Sequence, residues 1–240
     1  MCTISLTPHL KDSTGFILTS NRDEASERET YSPHFKTEKE TLLLFPEDAV
    51  AGGSWIGVSE QKRVLCLMNG GFEAHKREVS YRKSRGVVLK DWLIAENIKT
   101  EIEHYNLYNI EPFTVVIADW SLDLFFAEFV WDGKEKHFKD LPLQPQIWSS
   151  SPLYTSEMKK FREEWFSKFQ KQKNLSAKNL WEFHHSAGKG DKEVDLIIDR
   201  GFLKTKSISQ VAFLPGKLKF KYEDLQKSEI TNQEFPADLI

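Results

Sequence analysis

Residues 1–24, MCTISLTPHLKDSTGFILTSNRDE, read as a β-hairpin that folds back on the start of its own chain. CTISLTP (2–8) is the first strand and GFILTSN (15–21) the second. The polar segment HLKDSTG between them, with Asp12, Ser13 and Gly15, is the turn. Such a hairpin returns the end of the second strand, Asn21-Arg22-Asp23-Glu24, to the neighbourhood of Cys2. Two chemistries then meet: a thiol at the second residue, and a guanidinium with carboxylates at the strand end.

Cysteine is small enough for an initiator methionine before it to be removed, which would leave a free α-amine and a thiol on one residue. An α-amine titrates at about 7.7–8.0 and a thiol at about 8.5, so the amine can take the thiol's proton without a separate histidine base. A guanidinium beside the thiol favours the thiolate, and a carboxylate can hold the ammonium. Cys2 and Arg22 are therefore candidate catalytic residues, with Asp23 orienting the amine. The plainer alternative makes Cys2 a small hydrophobe of an edge strand and the Arg22–Asp23 pair a solvated strand end.

Beyond the hairpin, residues 24–41 are charged and carry Pro33, and they read as a long surface loop or lid. LLLF, AGGSWIGVS and RVLCLMN follow as strands. EQK joins the last two, whose alternation predicts one buried face. RKSRGVVLKDWLIAEN has helical spacing, and FTVVIADW and LFFAEFVWDG form another strand pair. After QIWSSSP come two helices. TSEMKKFREEWFSKFQKQ has Met158, Phe161, Trp165 and Phe169 on one face, and SAKNLWEFHHSA opens on Ser176 as N-cap. SISQVAFLPGKLKFKYEDL closes the chain as a hairpin around Pro215 and Gly216. Strands, helix, strands, helices, strands is the order of antiparallel sheets covered by helices, not of βαβ units. No internal repeat breaks the chain, so residues 1–240 are expected to be one domain.

Composition bounds the partners. A net charge of −3 gives no basic footprint for nucleic acid, and 17 Phe and 7 Trp serve a core or an apolar pocket. Two cysteines without metal-ligand spacing make neither a disulfide framework nor a metal site. MCTISLTPHLKD is no signal peptide and no apolar run could span a bilayer, so a cytoplasmic protein without transmembrane segment or cofactor is expected. No dinucleotide fingerprint, P-loop or zinc-protease motif appears. Cys66 reads as an inert core residue, and His184 and His185 as a solvent-facing pair. Gly52 and Gly53 read either as a pocket lining or as a bend. Lys76, Arg77, Arg82, Lys83 and Arg85 read as a solvated helix start.

MCT at the start, TSNRDE at the end of the second strand, and AGGSWIGVS followed by a strand ending in Asn69 occur in this order in the NRDE family, also called the transport and Golgi organisation protein 2 family, which this chain resembles over its first third. The resemblance implies an N-terminal-nucleophile hydrolase fold, a four-layer αββα sandwich of two antiparallel sheets flanked by helices. It also implies kinship with choloylglycine hydrolase and penicillin V acylase. In that kinship Cys2 matches the nucleophile and Arg22 the arginine beside the thiol. Asp23 lies near the aspartate at the α-amine, and Asn69 matches an oxyanion donor. Asn21 and Trp55 fall in the motifs that would line a substrate. Two positions depart from the pattern: Ser150, in WSSSP, stands where the hydrolases have a second asparagine, and Lys206, in TKSIS, stands for an arginine. A serine offers a shorter donor than an amide, and lysine lacks the bidentate fork of arginine. The expected function is amide hydrolysis at a non-peptide carbon–nitrogen bond through Cys2. The alternative is a non-catalytic carrier of heme, lipid or acyl-CoA on the same fold, since one fold serves many functions.

Overall fold

The computed structural model describes residues 2–9 and 14–240, with the backbone alone at Cys2. Asp12 and Ser13 of the expected turn lie outside the described residues. The chain divides into two compact units: residues 1–28 with 143–238 and 240, and residues 29–142 with 239.

The first unit is built on the hairpin. β1 (Cys2–Pro8) and β2 (Phe16–Ala25) pair antiparallel with Cys2 opposite Arg22, and the His9 amide donates to the Gly15 carbonyl at 2.7 Å to close the turn. β10 (Gln146–Ser149) adds to β1 on one side, with Thr3 opposite Ser149. β11 (Leu203–Leu214), β12 (Lys217–Asp224) and β13 (Glu229–Phe235) extend the sheet on the other, in the order β10-β1-β2-β11-β12-β13. The expected hairpin around Pro215 and Gly216 joins β11 to β12, and Gly216 adopts φ +76°, which an L side chain rarely accepts.

One face of this sheet carries α3 (Ser156–Gln172) and α4 (Ala177–Ser186), capped by Thr155 and Ser176, whose side chains accept from Met158 and Asn179 amides. Ile17 of β2 packs with Phe166, Leu175, Leu180, Phe183 and Leu196 there. The expected α3 stripe of Met158, Phe161, Trp165 and Phe169 is only half-buried; the fully inward positions are Arg162 and Phe166. Hydrophobicity alone predicts the stripe, and the helix instead turns an arginine inward.

The second unit is a seven-stranded sheet ordered β3-β4-β5-β6-β7-β8-β9: β3 (Thr30–Glu38), β4 (Thr41–Asp48), β5 (Ile56–Ser59), β6 (Arg63–Asn69), β7 (Phe113–Asp119), β8 (Phe125–Trp131) and β9 (Lys136–Leu141). β3 overturns the expected loop at 24–41. Its Pro33 sits at the bulge between Tyr31 and His34 on an edge strand, where a missing N–H costs no ladder bond. α1 (Arg85–Leu93) and α2 (Ile98–His104) cover one face through Val88, Leu89, Trp92, Ile98 and Ile102, against Leu65, Leu67, Phe113, Val115 and Phe129. The alternate residues Val64, Cys66, Val116 and Ala118 are equally buried, so this sheet has two buried faces rather than the one expected. VLCLM (64–68) has no polar residue at alternate positions, as two covered faces require.

Two details fix α1. Gly53 meets Gly86 so closely that a Cβ on Gly53 would lie 2.5 Å from a backbone carbon, so Gly53 is a close-approach site. At the helix's other end the buried Arg63, ion-paired to Asp119 at 3.0 Å, donates to the carbonyls of Trp92 and Glu96 at 3.2 and 3.1 Å. The basic residues near the start of α1 are engaged rather than simply solvated: Lys83 pairs with Asp91 at 2.6 Å and Arg85 with Glu111 at 3.0 Å.

Candidate functional site

The end of the hairpin gathers most of the expected residues in the first unit. Cys2 has Arg22 opposite it on β2, while Thr3 faces Ser149 on β10, which brings the buried Ser150 to the same end of β1. Lys206 occupies the bulge in β11 where its pairing with β2 shifts register between Thr205 and Ser207. Burial first, then the nearby Arg22 cation, lower its ammonium pKa, against the opposing pull of Asp224. Asn69 and Trp55 belong to the second unit. Asn69 ends β6 opposite Phe113, and Trp55 is buried just before β5, its carbonyl accepting from the Leu67 amide at 2.7 Å.

Successive residues of β2 point to opposite faces of the sheet. Asn21 and Asp23 point toward α3 and α4, and both side chains are fully buried. Asn21 Nδ2 donates to the carbonyls of His184 at 3.0 Å and Leu196 at 2.8 Å, which fixes the amide's orientation. Its Oδ1 must then accept from His184 Nδ1, leaving His184 Nε2 to accept from the Ser5 hydroxyl at 2.7 Å. Burial, then the neighbouring His185 and the Arg162 guanidinium, push the His184 pKa down to about 3, so the ring stays neutral. The solvent-facing histidine pair expected on α4 is thus corrected. His184 is fully buried, and His185 is half-buried with Nε2 2.8 Å from Glu223. Adjacent helical positions lie about 100° apart, so one of the two turns inward against the polar strand.

Asp23 accepts from the Tyr154 hydroxyl and, at 2.7 Å, from Thr205 Oγ1. The Arg162 guanidinium lies 3.5 Å from the centre of the Tyr154 ring and donates to Thr3 Oγ1 at 2.7 Å, to the Val194 carbonyl at 3.0 Å and to the Asp195 carbonyl at 2.7 Å. Burial raises the Asp23 pKa, opposed by Arg162 and by the two hydroxyl donors. Burial, then the Asp23 charge, holds the Tyr154 phenol well above its ordinary range. Tyr154, Arg162, Thr205 and His184 were missed from the sequence. For Arg162 a signal existed, an arginine one turn before Phe166 on the inward face; for Tyr154 there was none.

On the other face of β2, Arg22 and Glu24 form an ion pair at 3.9 Å. Among the described residues no group of histidine, cysteine and acidic side chains could hold a metal ion, and no helix is long and apolar enough to cross a membrane.

Two antiparallel sheets, each with a helix pair, and a first strand that begins at Cys2 beside Arg22 define an N-terminal-nucleophile hydrolase-like fold. Solved structures share it. A variant of conjugated bile acid hydrolase from Clostridium perfringens aligns over 98% of this chain and 92% of its own, at 10% identity and TM-score 0.54. An N-acylethanolamine-hydrolyzing acid amidase ortholog from Caenorhabditis elegans aligns over 88% and 92%, at 12% identity and TM-score 0.59. Penicillin V acylase from Agrobacterium tumefaciens aligns over 98% and 86%, at 10% identity and TM-score 0.57. No curated protein sequence matches the chain. Residues 1–213 match the family described as Transport and Golgi organisation 2, and the chain belongs to that family.

Proposed function

We propose that this protein is an N-terminal cysteine amidohydrolase that cleaves a non-peptide carbon–nitrogen bond with Cys2, the first residue after loss of Met1. The observation that carries the proposal is the register that sets Arg22 opposite Cys2 at the end of β1. A cation there stabilises a thiolate, and the family fold is shared with hydrolases of conjugated bile acids, N-acylethanolamines and penicillin V. In the proposed reaction the thiol adds to the carbonyl carbon, forming a carbon–sulfur bond while its proton passes to the α-amine. The tetrahedral intermediate collapses with cleavage of the carbon–nitrogen bond, and the α-ammonium gives its proton to the departing amine. Water then hydrolyses the thioester by the same two steps. Asn69 is the proposed oxyanion donor, with Trp55 in the substrate-side motif; Asn21 does not line a substrate, because its amide is buried and bound to the His184 and Leu196 carbonyls. Ser150 and Lys206 replace the asparagine and arginine of the hydrolases. Asp23, already bound by two hydroxyls, positions the strand end that carries Arg22.

The test is the intact mass of protein purified from its native host, before and after brief exposure to iodoacetamide, together with turnover of a panel of N-acyl amides. Loss of Met1, selective alkylation of Cys2 over Cys66, and loss of turnover in a folded Cys2→Ala variant are expected. Retained Met1, or turnover in Cys2→Ala, refutes the mechanism and directs attention to the carrier alternative. For that alternative a saturable shift of the heme absorption band on titration is the readout.

A further inference from the structure

We infer that Glu24, rather than Asp23, is the counter-ion of the α-ammonium that Cys2 carries after Met1 is removed, an assignment that rests on the N-terminal cysteine reading above. The two carboxylates are neighbours in sequence and opposites in place. Asp23 lies on the face covered by α3 and α4, is inaccessible to solvent, and already accepts from Tyr154 on one oxygen and Thr205 on the other. Its charge is further compensated by Arg162. A second cation brought to that carboxylate would have to enter a packed, hydrogen-bonded interior.

Glu24 lies on the opposite face, two residues beyond Arg22 on the same strand, with its side chain 19% exposed and 3.9 Å from the Arg22 guanidinium. Arg22 is in register with Cys2, and β1 has no residue between Cys2 and the strand's end. The nitrogen of Cys2 therefore emerges where the Arg22–Glu24 pair stands. One oxygen of Glu24 accepts from the Ala25 amide at 3.0 Å, and the other is the one nearest Arg22, so the carboxylate is held in place with acceptor capacity to spare.

The charged groups around it are few and assigned. Lys204 stands directly opposite Glu24 on β11 but pairs with Asp199 at 3.3 Å. Lys206 donates to the Ser26 carbonyl. Asp224 on β12 has Lys227 at 4.0 Å and caps the Gln226 and Lys227 amides. Arg28, in the turn after β2, acts on Glu24 from a distance. Although burial pushes the Glu24 carboxyl up, the Ala25 amide and the Arg22 and Arg28 cations hold it below its ordinary value, so it is ionised through the neutral range in which the amine gains and loses its proton. A carboxylate in this position serves two ends. It holds the ammonium that forms when the thiol is deprotonated, and it occupies Arg22 until a thiolate competes for that cation.

The experiment compares wild type, Glu24→Gln, Glu24→Asp and Asp23→Asn, each with its intact mass, its melting temperature and the pH dependence of iodoacetamide alkylation at Cys2. A carboxylate makes a neighbouring thiol and a neighbouring ammonium less acidic. Its removal in Glu24→Gln should move the alkylation midpoint down by about one pH unit, with the melting temperature nearly unchanged. Glu24→Asp, which keeps the charge, should return the midpoint toward wild type. Asp23→Asn should lower the melting temperature and leave the midpoint in place. A midpoint that moves in Asp23→Asn and not in Glu24→Gln overturns the assignment, as does one that moves in neither. If Met1 is absent and Cys2 reacts selectively in those cases, the N-terminal cysteine reading survives and only the role of Glu24 falls. Retained Met1 in the wild type removes both.

Discussion

Replacing Tyr154 with phenylalanine isolates one hydroxyl of the buried network beneath the strand end. The ring that stacks on Arg162 at 3.5 Å is kept, so the cation–π contact and the packed volume change little. The loss is the hydrogen bond from the phenol to the Asp23 carboxylate, a group inaccessible to solvent. Hydrogen bonds to charged groups contribute about 1.5–3 kcal/mol, and here no water replaces the lost donor, so a destabilisation of about 2 kcal/mol is expected. For a chain of this size that is about 4–8 °C in melting temperature.

The pH dependence is the sharper signature. Burial raises the Asp23 pKa above its ordinary 3.8, so the folded state holds that proton more tightly than the unfolded state. Folding is therefore weakened as pH rises through the folded-state pKa and relieved as pH falls below it. Removing a donor to the anion raises that pKa further. The cost of Tyr154→Phe should thus be greatest at neutral pH and shrink in acid, within a window that begins above 3.8. Urea unfolding followed by circular dichroism across that range measures it. A change smaller than about 0.5 kcal/mol at neutral pH, the size of an ordinary surface substitution, would refute the argument that Asp23 depends on this donor.

Two further outcomes follow from the same geometry. His184, neutral with its pKa pushed down to about 3 from 6.5, contributes stability that is complete above 6.5 and lost as pH falls toward 3, by up to about 1.4 kcal/mol per unit. His184→Asn, which keeps a donor toward Asn21 but does not titrate, should be less stable at neutral pH and show a flatter acid limb, read by urea unfolding on either side of pH 6.5. Gly53→Ala sets a methyl group 2.5 Å from backbone at Gly86, which cannot retreat without shifting α1, so a loss of about 1–3 kcal/mol is expected in thermal unfolding.

The motif NRDE acquires a division of labour from the pleat of the strand. Its first and third residues are interior: Asn21 binds α4 and the 196 carbonyl, and Asp23 binds the segment after β10 and, through Tyr154, α3. Its second and fourth residues, Arg22 and Glu24, are paired on the face opposite. Two of the four adjacent polar residues are thus bound into the interior and two are paired on the opposite face, so a substitution at Asn21 or Asp23 is expected to act first on stability.

Local patterns determined the hairpin at the start, most strands of both sheets, both long helices with Ser176 as the cap of the second, and the expectation that Arg22 returns to Cys2. Each depends on side-chain period, turn chemistry or capping, which act within a few residues along the chain. The sequence also held the polar residues Asn21 and Asp23, but not their duties. Tertiary structure alone decided that His184 turns inward to Asn21, that Arg162 rather than the predicted aromatic stripe faces the core, and that Tyr154 and Thr205 each donate to Asp23. These partners lie 131 to 182 residues away from the strand they serve. Pro33 likewise signalled a loop, and only its place on the outermost strand, at a bulge, let β3 form around it. A polar residue's role is set by what lies within hydrogen-bonding distance once the chain has packed, and sequence spacing carries no record of that distance.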